Sequence, residues 1–267
     1  MNDQIKIAII GVGGRMGRHL LQTVYEAGYL GAAIARAEST IIGQDAGEFA
    51  GLGQIGLKIV DDLQQVIDDI DVVIDFSTLS STLKHLQICV QSGTPIIIGT
   101  TGFSVEQLVD IQKASEKIAI VLSANYSVGV SISVKLVELA TKIFKDSVDM
   151  EILEAHHRHK IDAPSGTALM YGEVIAKTLG YHLQDIAVYG REGNTGERKK
   201  ETIGFSTVRG GDIVGEHTVM FLGNGERLEI SHKAMNRKHF SNGALQAALW
   251  SVRQKPNLYN MDDVLRI

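Results

Sequence analysis

The sequence predicts an α/β protein with a doubly wound parallel sheet, followed by a second, α+β domain built on a mixed or antiparallel sheet. Three observations lead to this prediction. In the first half of the chain, short apolar runs rich in β-branched residues alternate with segments of helical periodicity, which is the pattern of a parallel sheet flanked by helices. The glycine-rich segment GVGGRMG directly follows the first apolar run. After about residue 125, a long amphipathic segment precedes several strand-like segments.

The first domain is predicted to alternate strands and helices. Its strands are expected in the apolar runs IKIAII (5–10), AAIAR (32–36), IDVVIDFS (70–77), TPIIIGTTGF (94–103) and IAIVLSAN (118–125), with a glycine-rich loop after the second. Helices are expected in RMGRHLLQTVYEAG (15–28), STLKHLQICVQSG (81–93) and SVEQLVDIQKASEK (104–117). Ser104 and Gln107 have the spacing of a capping box at the start of the last helix.

The second half of the chain predicts a separate domain. A long helix is expected at VGVSISVKLVELATKIF (128–144), and strands at DMEILEAH (149–156), TIGFSTVR (202–209), IVGEHTVMFLG (213–223) and ERLEISHKA (226–234). The last two strands flank Asn224-Gly225, a strong signal for a tight hairpin. We therefore expect one domain at residues 1–126, a second at 127–236, and a C-terminal helix at 237–267 that returns to the first domain.

Composition and charge exclude several classes of protein. The hydrophobic content of 44% is that of a globular protein and not of a disordered one, and the formal net charge of -5 argues against nucleic-acid binding. Cys89 is the single cysteine, so an intramolecular disulfide is impossible and a reducing compartment is expected. No apolar run reaches membrane-spanning length. We expect a cytoplasmic protein with no membrane partner.

The glycine loop predicts a Rossmann-like dinucleotide-binding domain at residues 1–126. Gly11, Gly13, Gly14 and Gly17 lie between the first strand and the first helix. There, backbone without side chains can approach a pyrophosphate, and the helix start offers free N–H groups. The spacing departs from the strict G-x-G-x-x-G pattern because Met16 occupies the place of the third glycine. A purely structural turn is the alternative.

The end of the second predicted strand bears on the choice of cofactor. An acidic residue there would hold the 2′-hydroxyl of NAD, whereas this chain has Ala35-Arg36. Arg36 can pair with the 2′-phosphate of NADP, which favours NADPH. Glu38 could still reach the ribose, so NADH use stays open, and a solvated surface charge is the alternative for Arg36. The loops GTTG (99–102) and SANY (123–126) follow later strands and should border the nicotinamide end.

The segment EAHHRHKIDAPSGTA (154–168) gathers three histidines, an arginine and a lysine within five positions. Together with GVGGRMG, GTTGF, REGNTGERKKETIGFSTVRGGDIVGEHTV and ERLEISHKA, it resembles the 4-hydroxy-tetrahydrodipicolinate reductases, also called dihydrodipicolinate reductases, of lysine and diaminopimelate biosynthesis. The resemblance runs from near residue 5 to the end of the chain. It implies NAD(P)H-dependent reduction of 4-hydroxy-tetrahydrodipicolinate to tetrahydrodipicolinate with loss of water.

The resemblance also implies roles for individual residues. His156 would be a proton donor or acceptor, Lys160 a proton donor, and His157, Gly166 and Thr167 substrate ligands. The implied cofactor contacts are Gly11, Val12, Gly13, Gly14, Arg15, Met16, Arg36, Gly99, Thr100, Thr101, Ser123, Ala124, Asn125 and Tyr126. The family often has an acidic residue where this chain has Ala35, which again favours NADPH over NADH. A homotetramer built through the sheet of the second domain, at residues 127–236, is implied as well.

The chemistry of a small dicarboxylate substrate agrees with these roles. Two carboxylates need two anion holders, for which Lys160 and the helix start at Ser165–Thr167 are suited. A histidine is a fitting proton donor because its pKa near 6.5 leaves both forms accessible. Arg237 is a further candidate for holding the substrate. Arg158 and His159 are expected to be peripheral if the strand continues, and Glu154 and Asp162 to orient neighbours.

Parts of the sequence also allow other functions. A histidine-rich segment can bind zinc, yet no spaced set of cysteines or carboxylates completes a metal site, so we expect none. A covalent thioester step would need an activated thiol, whereas Cys89 lies in an apolar helical run. Another nicotinamide-dependent reductase of a small dicarboxylate and a non-enzymatic dinucleotide sensor stay open as alternatives.

Overall fold

The computed structural model describes residues 4–267. The chain forms two compact units: the first consists of the residues through Val128 together with Arg237–Ile267, and the second of Gly129–Asn236. Over the described residues, none of the helices combines the length and the apolar character that crossing a membrane requires.

The elements are numbered in chain order. The strands are β1 (Ile7–Ile10), β2 (Leu30–Ile34), β3 (Ile59–Val60), β4 (Val72–Asp75), β5 (Ile96–Ile98), β6 (Ala119–Leu122), β7 (Asp149–His156), β8 (Ala187–Val188), β9 (Ile203–Arg209), β10 (Gly215–Leu222), β11 (Arg227–Ala234) and β12 (Asn257–Tyr259). The helices are α1 (Arg15–Glu26), α2 (Ala46–Ala50), α3 (Leu79–Ser92), α4 (Val105–Ala114), α5 (Val128–Phe144), α6 (Gly166–Leu179), α7 (Leu183–Ile186), α8 (Lys238–Ser251) and α9 (Met261–Leu265), with short 3₁₀ turns at Leu63–Gln65 and Ile67–Asp69.

The first unit contains a seven-stranded parallel sheet in the order β12-β6-β5-β4-β1-β2-β3. The chain winds outward from β1 to β3 and then returns to β4 on the other side of β1, so the direction of winding reverses between β1 and β4. In such a sheet, ligands bind in the crevice at the carboxyl ends of the strands where this reversal occurs. The doubly wound parallel sheet predicted from the sequence is thereby confirmed.

Both faces of this sheet are buried, as the apolar runs predicted. Alternate residues of β1 point to opposite layers: Ile7 and Ile9 pack with α1 and α8, while Ala8 and Ile10 pack with α3 and α4. The predicted capping box is present, since the Ser104 hydroxyl accepts from Gln107 N–H and the Gln107 side chain accepts from Ser104 N–H. Two features differ from expectation. The glycine-rich loop after β2 contains α2 and β3, and the segment 237–267, predicted as a C-terminal helix, is divided into α8, β12, which extends the sheet at its far edge, and α9.

The second unit contains a five-stranded mixed sheet in the order β11-β10-β7-β9-β8. The pairs β11–β10 and β10–β7 are antiparallel, whereas β7–β9 and β9–β8 are parallel. Helices α5 and α6 cover one face, where a core forms around Ile152, Phe205 and Phe221. Leu153 and Val208 point to the other face and are exposed. The predicted α+β domain with a mixed sheet is confirmed.

Two local predictions in this unit have different outcomes. The hairpin at Asn224-Gly225 is present: Leu222 pairs with Arg227, and Gly225 has a φ of 86°, which glycine adopts without strain. The strand predicted at 149–156 has the bounds of β7, which ends at His156 and is followed by a turn, so the condition that the strand continues beyond it is not met. Arg158 and His159 therefore lie in the turn, and both are exposed.

Candidate active site

The glycines of the loop between β1 and α1 have two different tasks. Gly11 has a φ of 84°, and a Cβ there would lie 2.5 Å from the carbonyl oxygen of Phe76. A Cβ on Gly17 would lie 2.2 Å from the carbonyl oxygen of Gly11, so both positions need glycine for packing alone. Gly13 and Gly14, by contrast, are exposed. Their bare backbone is accessible to a ligand.

The start of α1 suits an anion. Gly14 is the N-cap residue and has no side chain to bond the first helical N–H groups, and the first turn contains no acidic residue. The positive end of the helix dipole and the unpaired N–H groups of the first turn therefore point toward this loop. Such an arrangement is the usual phosphate site of a dinucleotide-binding unit.

A cleft of about 540 Å³ lies at the carboxyl ends of β1, β4 and β5 in the first unit. It is lined by Gly14, Arg15, Met16, Phe76, Ser77, Thr78, Leu79, Gly99, Thr100, Thr101 and Arg237. Six of the predicted cofactor residues are thus brought together here: Gly14, Arg15, Met16, Gly99, Thr100 and Thr101. The segment Phe76–Leu79 was not predicted to line a site, although its first two residues end the predicted run IDVVIDFS (70–77).

Two other predicted cofactor residues, Val12 and Tyr126, have buried side chains. Val12 is fully buried, so its side chain belongs to the core. Tyr126 is 2% exposed, and its hydroxyl lies 2.8 Å from the carbonyl oxygen of Ile98 and 2.9 Å from that of Val121. Ser123 to Asn125 follow β6 directly, where the Ser123 hydroxyl donates to the Asn125 carbonyl. Only the backbone of Val12 and Tyr126 is left for cofactor contacts.

A buried polar network holds the loops that line the cleft. Asp75, fully buried at the end of β4, accepts hydrogen bonds from the backbone N–H and the hydroxyl of Ser77 and lies 2.8 Å from Nδ1 of His85. The hydroxyls of Thr82 and Thr100 are 2.9 Å apart beside it. Because buried polar groups that are fully paired stiffen their surroundings, this network fixes the loops after β4 and β5 relative to each other.

Arg237 lies on the cleft of the first unit together with Arg15. Burial and the positive charge of Arg15 lower the pKa of Arg237. Among the residues described here, neither guanidinium forms an ion pair with a carboxylate. Two such groups without an acidic partner favour an anionic ligand. We predicted Arg237 as a ligand of the dicarboxylate substrate, but its position beside Arg15 also suits the phosphates of a cofactor. Arg36 lies just after β2 and is exposed, as is Glu38.

Cys89 is unsuited to covalent chemistry. It is fully buried in α3, and burial raises the pKa of its thiol. The thiolate is the nucleophilic form of cysteine, so a buried thiol with a raised pKa is inert. The structure thus gives no support to the thioester alternative.

In the second unit, the carboxylate of Glu154 is the centre of a buried cluster. Glu154 is 1% exposed and forms a two-pronged ion pair with Arg209, in which both N···O distances are 2.8 Å. Oε2 of Glu154 lies 2.6 Å from Nδ1 of His156. Oε1 accepts from the backbone N–H of Ser165 at 3.2 Å and from the hydroxyl of Thr207 at 3.2 Å. One side chain therefore holds the predicted catalytic histidine and the cap of α6.

The charges of this cluster follow from its contacts. Burial acts to raise the pKa of Glu154, but the bonds from Arg209 and His156 outweigh it, so the pKa is lowered and the side chain is a carboxylate. Burial lowers the pKa of His156, while Glu154 opposes this effect and Lys160 and Arg209 add to it. The net effect is a pKa of His156 below its ordinary value, so the neutral imidazole is favoured in the absence of a ligand.

Lys160 lies in the turn after β7 and is paired with Asp162. Its Nζ atom is 2.8 Å from each carboxylate oxygen of Asp162, and this bond lowers the pKa of Asp162. The Lys160 side chain is mostly buried, whereas that of Asp162 is 58% exposed. A substrate carboxylate would therefore have to share or replace Asp162 as the partner of Lys160.

The predicted substrate ligands lie on the same segment and at the start of α6. Nδ1 of His157 is buried and has no hydrogen-bond partner among the described residues. Gly166 and Thr167 begin α6 behind the N-cap Ser165, whose hydroxyl accepts from Ala168 N–H. The same hydroxyl lies 2.8 Å from Nε2 of His217. His217 and Arg209 were not predicted, because other strands contribute them.

Between residues 4 and 267, no group of three or more His, Cys, Asp or Glu side chains is arranged to hold a metal ion. The histidines of the segment 154–168 instead contact Glu154 and each other.

The sequence matches two family models over almost its whole length. Residues 5–126 match the family described as "Dihydrodipicolinate reductase, N-terminus", and residues 129–265 match "Dihydrodipicolinate reductase, C-terminus". Among curated proteins, the 4-hydroxy-tetrahydrodipicolinate reductase of Acinetobacter baumannii strain AYE is 59% identical over 99% of this chain and 97% of the relative. The protein of the same name from Acinetobacter baylyi is 56% identical with the same coverage.

Solved structures agree with this match. The dipicolinate-bound dihydrodipicolinate reductase from Paenisporosarcina sp. TG-14 superimposes with a TM-score of 0.76 at 26% identity, covering 96% of this chain and 97% of that one. The amine dehydrogenase from Mycobacterium smegmatis has a TM-score of 0.62 at 15% identity, covering 98% and 96%, and thus shares the fold alone. Two matching family models and a 59% identical relative establish that the chain belongs to the dihydrodipicolinate reductase family.

Proposed function

We propose that this chain catalyses the NAD(P)H-dependent reduction of 4-hydroxy-tetrahydrodipicolinate to tetrahydrodipicolinate with loss of water, a step of lysine and diaminopimelate biosynthesis. The observation that carries the proposal is the cluster around Glu154, which joins a buried histidine to the start of a helix beside a lysine. This is a proton source next to two anion holders, as reduction of a small dicarboxylate requires.

The cleft of the first unit fits a nicotinamide dinucleotide. Phosphate is favoured by the exposed backbone of Gly14, by the start of α1, which has no side-chain cap, and by Arg15 and Arg237, which form no ion pair within residues 4–267. Gly99, Thr100 and Thr101, followed further along the chain by Ser123 to Asn125, would border the rest of the cofactor. When bound, the nicotinamide supplies the hydride.

The chain's own residues bind the substrate through its two carboxylates. Lys160 contributes a positive charge, and the first N–H groups of α6 at Gly166 and Thr167 contribute a helix N-terminus. His157, whose buried Nδ1 atom has no partner in the described structure, is proposed as a further substrate ligand. Because the Ser165 cap is held by both Glu154 and His217, the helix start is fixed before substrate binds.

His156 is proposed to supply the proton that completes the reduction. Its Nδ1 atom is engaged by Glu154, so the proton leaves from Nε2. The positive charges of Lys160 and Arg209 lower the pKa of His156. The negative charge of a bound dicarboxylate would offset this effect. Substrate binding therefore favours the protonated, donating form of the histidine.

We further propose that the enzyme prefers NADPH to NADH. Arg36 is exposed at the end of β2, where the 2′ substituent of the adenosine ribose is expected, and it has the charge that a 2′-phosphate needs. Glu38 is exposed two positions later and could hold a 2′-hydroxyl, so NADH would serve as a weaker cofactor. The single cysteine and the resemblance favour a cytoplasmic location.

A homotetramer is proposed through the exposed face of the mixed sheet. Leu153 on β7 and Val208 on β9 are 38% and 46% exposed and lie opposite the face that α5 and α6 cover. An exposed apolar sheet face is the kind of surface that a second copy buries. Light scattering of the purified protein should give four times the chain mass of 29.0 kDa, and Leu153→Lys should lower it.

The function is tested by following NADPH oxidation with enzymatically generated 4-hydroxy-tetrahydrodipicolinate. We expect substrate-dependent oxidation by the wild type, and a fall in kcat of about 10²- to 10⁴-fold for His156→Gln with unchanged affinity for NADPH. His159→Gln is the matched control, because His159 belongs to the same segment but is exposed. Absence of substrate-dependent oxidation would point instead to a reductase of another dicarboxylate, or to a dinucleotide sensor.

A further inference from the structure

The buried carboxylate of Glu154 makes five hydrogen-bond or ion-pair contacts. Its carboxylate accepts from two nitrogens of Arg209, from the Ser165 backbone and from the Thr207 hydroxyl, and it faces Nδ1 of His156 at 2.6 Å. Burying an ion costs several kcal/mol unless each lone pair finds a partner. Every contact here lies within the second unit, on β7, β9 and the start of α6.

We propose that Glu154 is the positioning residue for proton transfer: it holds the Nδ1 proton of His156, leaving Nε2 to exchange a proton with the substrate, and also anchors the start of α6. The inference deepens the proposed function and rests on it. Glu154 acts through His156 and Ser165, whereas His156 itself and the first N–H groups of α6 are the groups proposed to contact the substrate. The sequence predicted only that Glu154 orients neighbours, and the contacts identify these neighbours as His156 and Ser165.

The tautomer of His156 follows from its partner. Both oxygens of Glu154 already face nitrogen donors of Arg209, which keep the side chain ionised and therefore able only to accept. The ring nitrogen at 2.6 Å must then be the one that carries a proton. Neutral His156 accordingly has an unprotonated Nε2, and charged His156 has an Nε2–H that it can donate.

The same carboxylate joins the proton donor to the anion site. Oε2 faces His156, while Oε1 accepts from the N–H of Ser165, the residue immediately before the first N–H groups of α6. Displacing this carboxylate would therefore shift both the imidazole and the helix start. A loss of position by about 1 Å can cost about 10²-fold in rate.

Several charged or titratable groups act on His156 from the surrounding elements. They are Glu154 on its own strand, Arg209 on β9, His217 on β10, and Lys160 in the following turn, with Asp162 paired to Lys160. Glu154 is the group that raises the pKa of His156, against burial and the nearby cations. Removing its charge should lower that pKa, so the protonated form would be lost at a lower pH.

The first experiment compares Glu154→Gln with Glu151→Gln. Glu151 lies on the same strand and, like Glu154, forms ion pairs with arginine, in its case with Arg191 and Arg198, but its hydrogen bonds reach neither His156 nor α6. For Glu154→Gln we expect kcat to fall about 10- to 100-fold and the alkaline limb of the kcat profile to move down by about one pH unit or more. Glu151→Gln should keep the wild-type profile, whatever its stability.

The second experiment needs neither a variant of Glu154 nor catalysis. In wild-type protein labelled with ¹⁵N-histidine, the His156 signals are identified by their loss in His156→Gln. Neutral His156 should show a protonated Nδ1 and an unprotonated Nε2. The opposite tautomer would overturn the proposal even if Glu154→Gln fails to fold.

The outcomes separate this inference from the proposed function. A folded Glu154→Gln with wild-type kcat and pH profile would overturn the positioning role while the reductase activity stands. A wild type without substrate-dependent NADPH oxidation would overturn the function instead, and the tautomer measurement would still decide how Glu154 holds His156.

Discussion

Nε2 of His217 lies 2.8 Å from the hydroxyl of Ser165, the residue that caps α6. The two residues are far apart in the chain, and His217 is brought to the helix start by β10, which pairs it with Glu154 on β7. His217 is 5% exposed, and its ring meets that of His156 edge-on at 5.0 Å. The anion site at α6 thus depends on a histidine that must remain neutral to stay buried.

This dependence predicts an acid-sensitive fold. Burial, with help from the charge of His156, lowers the pKa of His217 to about 4, below the unfolded value of 6.5. A depressed pKa contributes stability that is present above the unfolded pKa and is lost as the pH falls toward the folded one. From pH 7 to pH 5, we expect the free energy of unfolding of the wild type to drop by about 2 kcal/mol more than that of His217→Gln.

Urea unfolding of both proteins at the two pH values measures this difference, because carboxylates elsewhere affect both proteins equally and cancel. Equal losses of unfolding free energy in the wild type and His217→Gln would show that His217 titrates normally when folded.

Arg237 allows a direct choice between two ligands. It lines the cleft with Arg15 in the first unit, so we expect Arg237→Ala to raise the KM and Kd for NADPH about tenfold, the effect of losing one charge-assisted contact. Lys238→Ala is the matched control, since Lys238 is the next residue and pairs with Glu26. A rise in KM for the dicarboxylate alone would instead support the substrate role expected from the sequence.

Arg36 should decide between the two cofactors. If its guanidinium holds a 2′-phosphate, Arg36→Ala should lose about tenfold in kcat/KM with NADPH and little with NADH. Steady-state kinetics with each cofactor on both proteins measures this ratio, and Arg158→Ala serves as a control for loss of one exposed positive charge. An equal loss with both cofactors would make Arg36 a general contributor to binding.

Local signals in the sequence predicted the elements that local interactions determine. The capping box at Ser104 depends on residues three positions apart, and the bounds of α5 follow from its own periodicity. The short helix α2 was missed because it is held from outside: Asp45 accepts bonds from four backbone N–H groups, at Gly47, Glu48, Ile55 and Gly56. The strand β12 is only three residues long and acquires its structure by pairing with β6.

The candidate site divides in the same way. Residues that are near in sequence, from Glu154 to Thr167, could be assigned together because one segment contains them. Arg209 and His217 could not, since strand register alone aligns Arg209 with His156 and His217 with Glu154. A single sequence does not show which residues of different strands lie opposite each other in the sheet.

Gly215 borders Nε2 of His156, the atom proposed to exchange the proton. A Cβ at this position would lie 3.0 Å from Nε2 of His156, closer than ordinary packing allows. The ring cannot move away freely, since Glu154 holds its other nitrogen at 2.6 Å. We therefore expect Gly215→Ala to reduce kcat about tenfold or more, while the KM for NADPH is unchanged.

Gly210→Ala is the control for this substitution. Gly210 lies between β9 and β10, and its added Cβ would meet open space. Its backbone N–H donates to the carbonyl of His156, and an alanine keeps that bond. We expect Gly210→Ala to retain the wild-type kcat. If Gly215→Ala also retains it and folds normally, Nε2 of His156 has more room than the position of Gly215 implies, and the substrate must approach the imidazole from another side.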